Sequence, residues 1–339
     1  MSTPASHRSP HTPPARLRVS QPADFVAVVP YLVGFHPRES VVALLFRDRR
    51  VLVSVRVDLP PPELARRLSA DLQRVVDRHG VEEVVLVGYA DDPAGGRQVL
   101  GSLLAAPPAR VRDALLVAAG RWWSLTCRDG CCPAEGTRHD PAGHPLAAEA
   151  VFAGLAPVQD RSVLREQVAG PPTREQWRLL ERLAPLHDQV RGLGTTGAAR
   201  LMAVTVRRCL DGAAPLADAD ALLLTALAHE LVVRDVAWAL MSRRDSDDHV
   251  RLWGRVVARA PDPFALGPLG LLGAAAWIAG QGALQNCCVE RLERLDPAYT
   301  LTGVLSGISE RALPPAAWEE MVEELRQEVC TVTGLSRLH

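Results

Sequence analysis

The stretch YLVGFHPRESVVALLFRDRRVLVSVRVD, residues 31–58, decides the fold. Val41–Phe46 is an unbroken apolar run, the mark of a strand buried on both faces. Arg47-Asp48-Arg49-Arg50 is polar and short. Val51–Val57 then alternates, with Val51, Val53, Val55 and Val57 on one side and Leu52, Ser54 and Arg56 on the other. Two strands with so short a connection form an antiparallel hairpin. Pairing Phe46 with Val51 sets Ser40 opposite Val57 and Glu39 beside Asp58, and a slip of one residue would turn every side chain to the other face.

Working outward, Ser20-Gln21-Pro22 reads as a helix start with serine as the N-cap. Phe25, Val28, Val29 and Leu32 share one helical face, and Gly34 supplies the left-handed turn that ends it. After the hairpin, Pro60-Pro61-Pro62 opens a helix to His79 whose stripe is Leu64, Leu68, Leu72, Val75 and Val76. Val84–Tyr89 is a third strand, Asp91-Asp92-Pro93 caps a helix over 93–106, and 113–119 and 121–125 are two more strands. The order α-β-β-α-β-α-β-β is that of an α/β domain with a mixed sheet, assigned to residues 19–126 behind a Pro/Ser/His-rich disordered tail, 1–18.

Residues 127–172 are rich in Cys, Pro and Gly and read as an irregular connection. From 173 to 332 the pattern is helical throughout, with helices over 173–191, 196–210, 218–242, 247–259, 264–280, 283–295, 299–312 and 315–330. Leu272-Gly273, Gly280 and Asp296-Pro297 stand at the spacing of one tetratricopeptide-like unit, with Gln285 and Val289 at positions where that repeat has a small residue and an aromatic. A helical stack of this kind binds a partner or braces a neighbour more often than it catalyses. Phe264–Gly280 is uncharged, but Pro268 and the four glycines after Phe264 interrupt it, so it reads as a buried helix and not a membrane span.

The 339 residues suit about two domains, and 47% hydrophobic with 23% charged content gives an ample core. A net charge of −1 excludes a sequence-blind nucleic-acid binder. The chain has no lysine, which removes Schiff-base and phosphate-loop lysine chemistry. The N-terminus lacks the apolar run of a signal peptide, and seven cysteines are an odd number for a disulfide framework. The expected compartment is the cytoplasm.

The helix after Pro62 should make strands two and three parallel by a right-handed crossover, so their C-terminal ends share one sheet edge. His36, Arg38, Glu39, Ser40, Asp58 and Asp91 then meet there, at the edge where open α/β sheets bind ligands. As a binding site, this edge would hold a small molecule or an anion, or a divalent cation such as magnesium on its carboxylates. As an active site, His36 would serve as acid or base near Ser40, with Asp58 and Asp91 as metal or substrate ligands for hydrolysis. Each residue also has a plain structural role open to it: Asp92 as a helix cap, Ser40 satisfying the strand start, Arg38 and Glu39 as a solvated pair. Separately, Cys127, Cys131 and Cys132, with His139 and His144 downstream, offer thiolates and imidazoles that could hold zinc or form a redox pair, or be no more than buried thiols. Trp122 and Trp123, at alternate strand positions, should split, one ring to the core and the other over a ligand or the cysteine loop.

Several motifs together resemble a bacterial family designated domain of unknown function 4192. They are Pro30–Ser40 with Val41-Val42, Arg56-Val57-Asp58-Leu59-Pro60, Arg121-Trp122-Trp123-Ser124 with Cys127, Cys131-Cys132-Pro133 and Gly136, Gly280–Leu284, and Asp296–Tyr299. The resemblance covers about residues 18–315 and implies a soluble bacterial protein, with no activity that transfers residue by residue. The leading expectation is a cytoplasmic binding or regulatory protein with its pocket at the Gly34–Ser40 edge and a helical scaffold for a protein partner. A metal-assisted hydrolase using His36 with Asp58 and Asp91 is the alternative.

Overall fold

A computed structural model describes residues 17–127, 130, 132–212 and 215–336. The chain divides into two compact units, Met1–Val158 and Gln159–His339.

The first unit runs α1 (Pro22–Val33), β1 (Ser40–Arg47), β2 (Arg50–Asp58), α2 (Ala65–His79), β3 (Glu83–Tyr89), α3 (Pro93–Ala105), β4 (Arg110–Ala118), β5 (Arg121–Ser124), β6 (Thr137–Arg138) and α4 (Pro145–Phe152). Helix α1 starts one residue later than its serine suggests. Gln21 is the N-cap, and the buried Asp24 accepts the backbone N–H groups of Ser20 at 2.8 Å and Gln21 at 3.0 Å. Gly34, at φ 84°, ends the helix.

The sheet is mixed, in the order β2-β1-β3-β4-β5-β6. β1 is antiparallel to both β2 and β3, so β2 and β3 are parallel with β1 between them, and β3 is parallel to β4. Asp48 and Arg49 turn the hairpin with φ of 51° and 60°, the two left-handed residues whose twist matches the flanking strands. The register differs from the simple count. Phe46 pairs with Val51, but Leu45 pairs with Val53, so Leu52 is bulged and every later pair moves by one. Ser40 therefore faces Asp58, not Val57.

One face of the sheet packs on α1: Phe25, Val26 and Val29 meet Val42, Leu44, Phe46, Val85, Val87, Tyr89, Leu115 and Val117. The other face carries the buried Val41, Ala43, Leu45, Leu86, Ala114 and Leu116 and takes α3. A Cβ on Gly88 would stand 3.0 Å from Leu100, so the absence of a side chain lets α3 close on the strand. Ser69 of α2 donates to the carbonyl of Ala106, which fixes α2 to the end of α3.

The second unit is helical: α5 (Arg161–Gln167), α6 (Thr173–Gly192), α7 (Gly194–Asp211), α8 (Asp218–His229), α9 (Leu231–Ala239), α10 (Ser246–Val257), α11 (Leu266–Ile278), α12 (Gly282–Leu295), α13 (Thr300–Glu310) and α14 (Trp318–Thr333). The uncharged segment is α11, buried from Gly267 to Ile278 and surrounded by α8, α9, α10, α12 and α13. No helix among the described residues is long and apolar enough to cross a membrane. Two buried arginines tie the unit together. Arg291 donates to the carbonyl of Val168 and pairs with Asp262 at 2.8 Å, while Arg234 reaches Asp235 and the Tyr299 hydroxyl, each at 2.6 Å.

Two readings need correction. The stretch 127–172 holds β6, α4 and α5, elements of two, eight and seven residues that are too short to show a period. The helix expected over 218–242 breaks at Glu230 (φ −83°, ψ 116°), whose carboxylate lies 3.1 Å from Nε2 of His187.

Candidate functional site

The ladder builds the edge. Ser40 pairs with Asp58 on one side and Tyr89 on the other, and Tyr89 pairs with Val117 across β4. The start of β1 and the ends of β2, β3 and β4 thus lie in one row, and the three expected segments meet.

Glu39 is the residue that joins them. It holds a left-handed backbone, φ 39°, unusual for a side chain with a Cβ. Its carbonyl accepts the N–H of Leu59 at 2.8 Å, and its carboxylate accepts the N–H of Asp91. One residue therefore fastens the exit of β2 and the exit of β3 to the entry of β1. Arg38 stands 3.7 Å from Asp91, with side chains 75% and 74% exposed, a pair of little energetic weight. Asp92 caps α3, accepting the N–H groups of Ala94 and Gly95 at 3.0 and 2.9 Å.

The loop before β1 is anchored from the far end of the unit. Val158 accepts the His36 N–H at 3.2 Å and donates to the Gly34 carbonyl at 3.0 Å. Phe35 and Pro37 are buried, while the imidazole of His36 is exposed between them. Burial pushes the His139 pKa down, Asp140 opposes this, and His36 lowers it further, so His36 and His139 lie within electrostatic reach of each other. The backbone N–H of His139 is held by the Gly120 carbonyl at 2.9 Å, at the turn that follows β4. This histidine, grouped with the cysteines in sequence, belongs to the loop edge.

The face toward α1 carries a second set of groups. In register with Ser40 are Asp58 and Tyr89, and two residues back on β2 is Arg56, opposite Val42. Alternation puts the Ser40, Arg56 and Tyr89 side chains on one face of three adjacent strands. Arg56 bonds the exposed Asp58 carboxylate at 2.6 Å, and its guanidinium carbon lies 5.7 Å from the centre of the Phe35 ring. The Ser40 hydroxyl, the Arg56 Nε–H and the Tyr89 hydroxyl are all buried with no hydrogen-bond partner. Burial also drives the Tyr89 phenol pKa far up, so it stays protonated and can donate. Sequence reasoning placed Arg56 in a motif of the resembled family but assigned neither it nor Tyr89 to the site. The available signal was a lone charge inside a valine strand, and a tyrosine closing an apolar one.

The tryptophans divide as alternation requires. Trp122 packs against the α1-face core. Trp123 lies over the cysteine loop: its Nε1 donates to the Ala134 carbonyl at 3.1 Å and its ring covers Gly136, whose φ is 79°. Arg121 donates to the Gly136 carbonyl at 2.8 Å, and the Ser124 and Thr126 hydroxyls donate to the buried Asp113 at 2.8 and 2.6 Å. Cys127 and Cys132 follow and precede these contacts, both half-buried, while Cys131 lies outside the described residues. β5 separates His139, beside Gly120, from Cys127, by four residues that span about 13 Å at strand rise. His144 caps α4 through Nδ1, which accepts from Leu146 at 3.3 Å, leaving Nε2 to face Asp24 at 3.4 Å. Among the described residues no group of three or more His, Cys, Asp or Glu is placed to hold a metal ion.

In the helical unit a pocket of about 290 Å³ is lined by Val206, Arg207, Leu210, Leu240, Ser242, Asp245 and Arg326. The late motif residues serve turns and cross-links. Gln281 reaches Asp247 at 3.0 Å, Asp296 accepts the Ala298 N–H at 2.9 Å, and Tyr299 receives Arg234.

A family model described as Domain of unknown function (DUF4192) matches residues 22–316. No curated protein and no solved structure matches the chain.

Proposed function

The chain belongs to the DUF4192 family, along a match that runs through both units, and from that premise we propose a binding or regulatory protein whose ligand seats at the Gly34–Ser40 edge. The observation that carries this reading is the trio of buried, unpartnered polar atoms on Ser40, Arg56 and Tyr89. Each such group costs about 1–3 kcal/mol when left unpaired. Three on one sheet face, beside a loop built on a left-handed glutamate, suit a ligand that brings acceptor oxygens to them. His36, Arg38, Glu39, Asp58 and Asp91 form the rim, and Arg56 links rim to interior, bonding the exposed Asp58 while its Nε–H is buried.

The hydrolase alternative asks for an enclosed carboxylate pair beside His36. Asp58 and Asp91 are 83% and 74% exposed and each faces an arginine, which favours binding over metal-assisted chemistry. In this reading the helical unit, tetratricopeptide-like at α11–α12, is the platform for a protein partner, and the compartment is the bacterial cytoplasm.

The test is native mass spectrometry of untagged protein from its own host. The expected result is a non-covalent adduct of fixed mass that is lost in a Ser40→Ala, Tyr89→Phe double variant of unchanged fold. A wild type that flies without an adduct, and takes up none from a host metabolite extract, would refute the reading.

A further inference from the structure

The cavity of about 290 Å³ in the helical unit has no part in the ligand reading above, and its wall holds charges of both signs. Helix α7 contributes Val206, Arg207 and Leu210, the link from α9 to α10 contributes Leu240, Ser242 and Asp245, and α14 contributes Arg326. Helices α7 and α14 both pack on α9, so three segments of one unit meet around this space.

Local structure fixes the charges in place. Leu240 ends α9, and the chain turns into α10 with Asp245 as the N-cap. An Asp245 oxygen accepts the Ser242 N–H at 2.8 Å, which closes that turn. Arg326 donates its Nε–H to the carbonyl of Ala239, in the last turn of α9, at 3.0 Å. A cation suits the partial negative charge of a helix C-terminus. The planar guanidinium is held by this bond, and Glu323, 3.6 Å away and 60% exposed, is a weak partner for it.

Asp245 is the group that asks for a ligand. It shares the cavity with two arginines, yet among the described residues it forms an ion pair with neither. Its one charged-group contact there is His249, whose Nε2 stands 3.8 Å from the carboxylate. That histidine is wholly buried, neither ring nitrogen has a hydrogen-bond partner, and burial lowers its pKa, so at neutral pH it gives Asp245 no positive charge. The cavity wall therefore holds a carboxylate without a cation, backed by an imidazole without a bond, together with guanidinium groups. The complement is a small molecule with one anionic and one cationic end. Val206, buried, and Leu210 and Leu240, half-buried, offer an apolar wall for its body. The space falls just below the roughly 300–1,000 Å³ that hold drug-sized molecules, and a peptide terminus would bring only one of the two charges.

We propose that this cavity binds a free α-amino acid with a branched apolar side chain. Its carboxylate meets Arg326 and Arg207, its ammonium meets Asp245, and its side chain rests on Val206, Leu210 and Leu240. The Gly34–Ser40 edge belongs to the other unit, and the two sites stand or fall separately.

Isothermal titration calorimetry of the full chain with L-leucine tests this, beside two analogues that each lack one charge, isocaproate and isoamylamine. Leucine should bind once per chain, and each analogue should bind at least about tenfold more weakly, because each leaves a charge in the wall unmatched. Asp245→Asn keeps an oxygen for the Ser242 N–H but removes the charge. It should weaken leucine about tenfold and leave isocaproate no weaker. If that variant fails to fold, amide exchange on wild type locates the site: leucine should slow exchange at Ser242. No binding of leucine, isoleucine or valine up to about 10 mM would overturn the inference. So would analogues that bind as tightly as leucine, a leucine affinity unchanged in folded Asp245→Asn, or exchange at Ser242 that ignores leucine.

Discussion

Glu39 offers the most searching test of the edge, because one side chain makes two separable contributions. Its left-handed backbone costs about 1 kcal/mol relative to glycine. Its carboxylate holds the Asp91 N–H, a charge-assisted bond worth about 1.5–3 kcal/mol when shielded and nearer 1 kcal/mol in this exposed position. Glu39→Ala keeps the strain and loses the bond, so it should destabilise by about 1 kcal/mol, a fall of about 2–4 °C in Tm for a unit of this size. Glu39→Gly loses the same bond but relieves the strain. Glycine's greater unfolded-state entropy, about 0.4–1 kcal/mol, takes back part of that gain. The glycine variant should therefore fall between wild type and alanine. Glu39→Gln retains an acceptor oxygen and should stay within about 0.5 kcal/mol of wild type. Thermal unfolding ranks the four proteins, and amide exchange locates the effect: the Asp91 N–H should exchange faster in the alanine and glycine variants, while that of Leu59, held by the backbone carbonyl, should not. A glycine variant less stable than alanine, or unchanged exchange at Asp91 in both, would refute the account of Glu39 as the fastening of three strands.

Tyr89→Phe removes a buried hydroxyl that has no partner, so ligand-free protein should be unchanged or stabilised by up to about 1 kcal/mol in urea unfolding; a comparable loss would mean the hydroxyl is already satisfied. Gly170→Ala should cost about 2 kcal/mol or more, because φ is 75° and the new Cβ would stand 2.7 Å from the Arg291 guanidinium, displacing it from Val168 and Asp262; a milder effect would show that Arg291 can move aside. His249 is wholly buried with neither ring nitrogen bonded, and burial lowers its pKa below 6.5 against the opposing pull of Asp245 and Asp248. The unfolded chain then binds the extra proton, so the stability that depends on neutral His249 is complete above about pH 6.5 and is lost as pH falls through the folded pKa. Urea midpoints should drop between about pH 7.5 and 5.5 in wild type and drop less in His249→Leu, while equal slopes would exclude this histidine as the source.

The hairpin, the mixed sheet and the order of its elements were legible because β1 and β2 carry their periods openly. Val41–Phe46 is apolar without a break, as a strand packed on both faces must be, and the crossover through α2 fixed which strand ends would meet. The bulge at Leu52 was not legible: the valines alternate straight through it in the sequence, whereas in the ladder Val51 stands opposite Phe46 and Val53 opposite Leu45, so Val51 lies on the face opposite to Val53, Val55 and Val57. Its consequence was local but important, since it set Ser40 against Asp58. His139 was grouped with Cys127, Cys131 and Cys132 by nearness in sequence, and the β5–β6 pairing holds it at the end of β5 opposite to Cys127. Tyr89 and Arg56 were left out of the expected site for a related reason. Each looks like an ordinary strand residue until its neighbours across the ladder are known. In the helical unit, α11 showed itself by composition, whereas the break at Glu230 did not, because Leu227 and Leu231 continue the apolar spacing across it.

The strand order β2-β1-β3-β4-β5-β6 also has a meaning in time. Once the hairpin has formed, every later strand joins at the same growing side, in the order in which it leaves the ribosome. No strand has to wait for a distant one, and none must be threaded between two already in place. At a synthesis rate of about 5–20 residues per second, each addition has a second or so before the next element emerges, far longer than a hairpin needs to close. The sheet can therefore be laid down as it is translated, with the hairpin of residues 40–58 as its template.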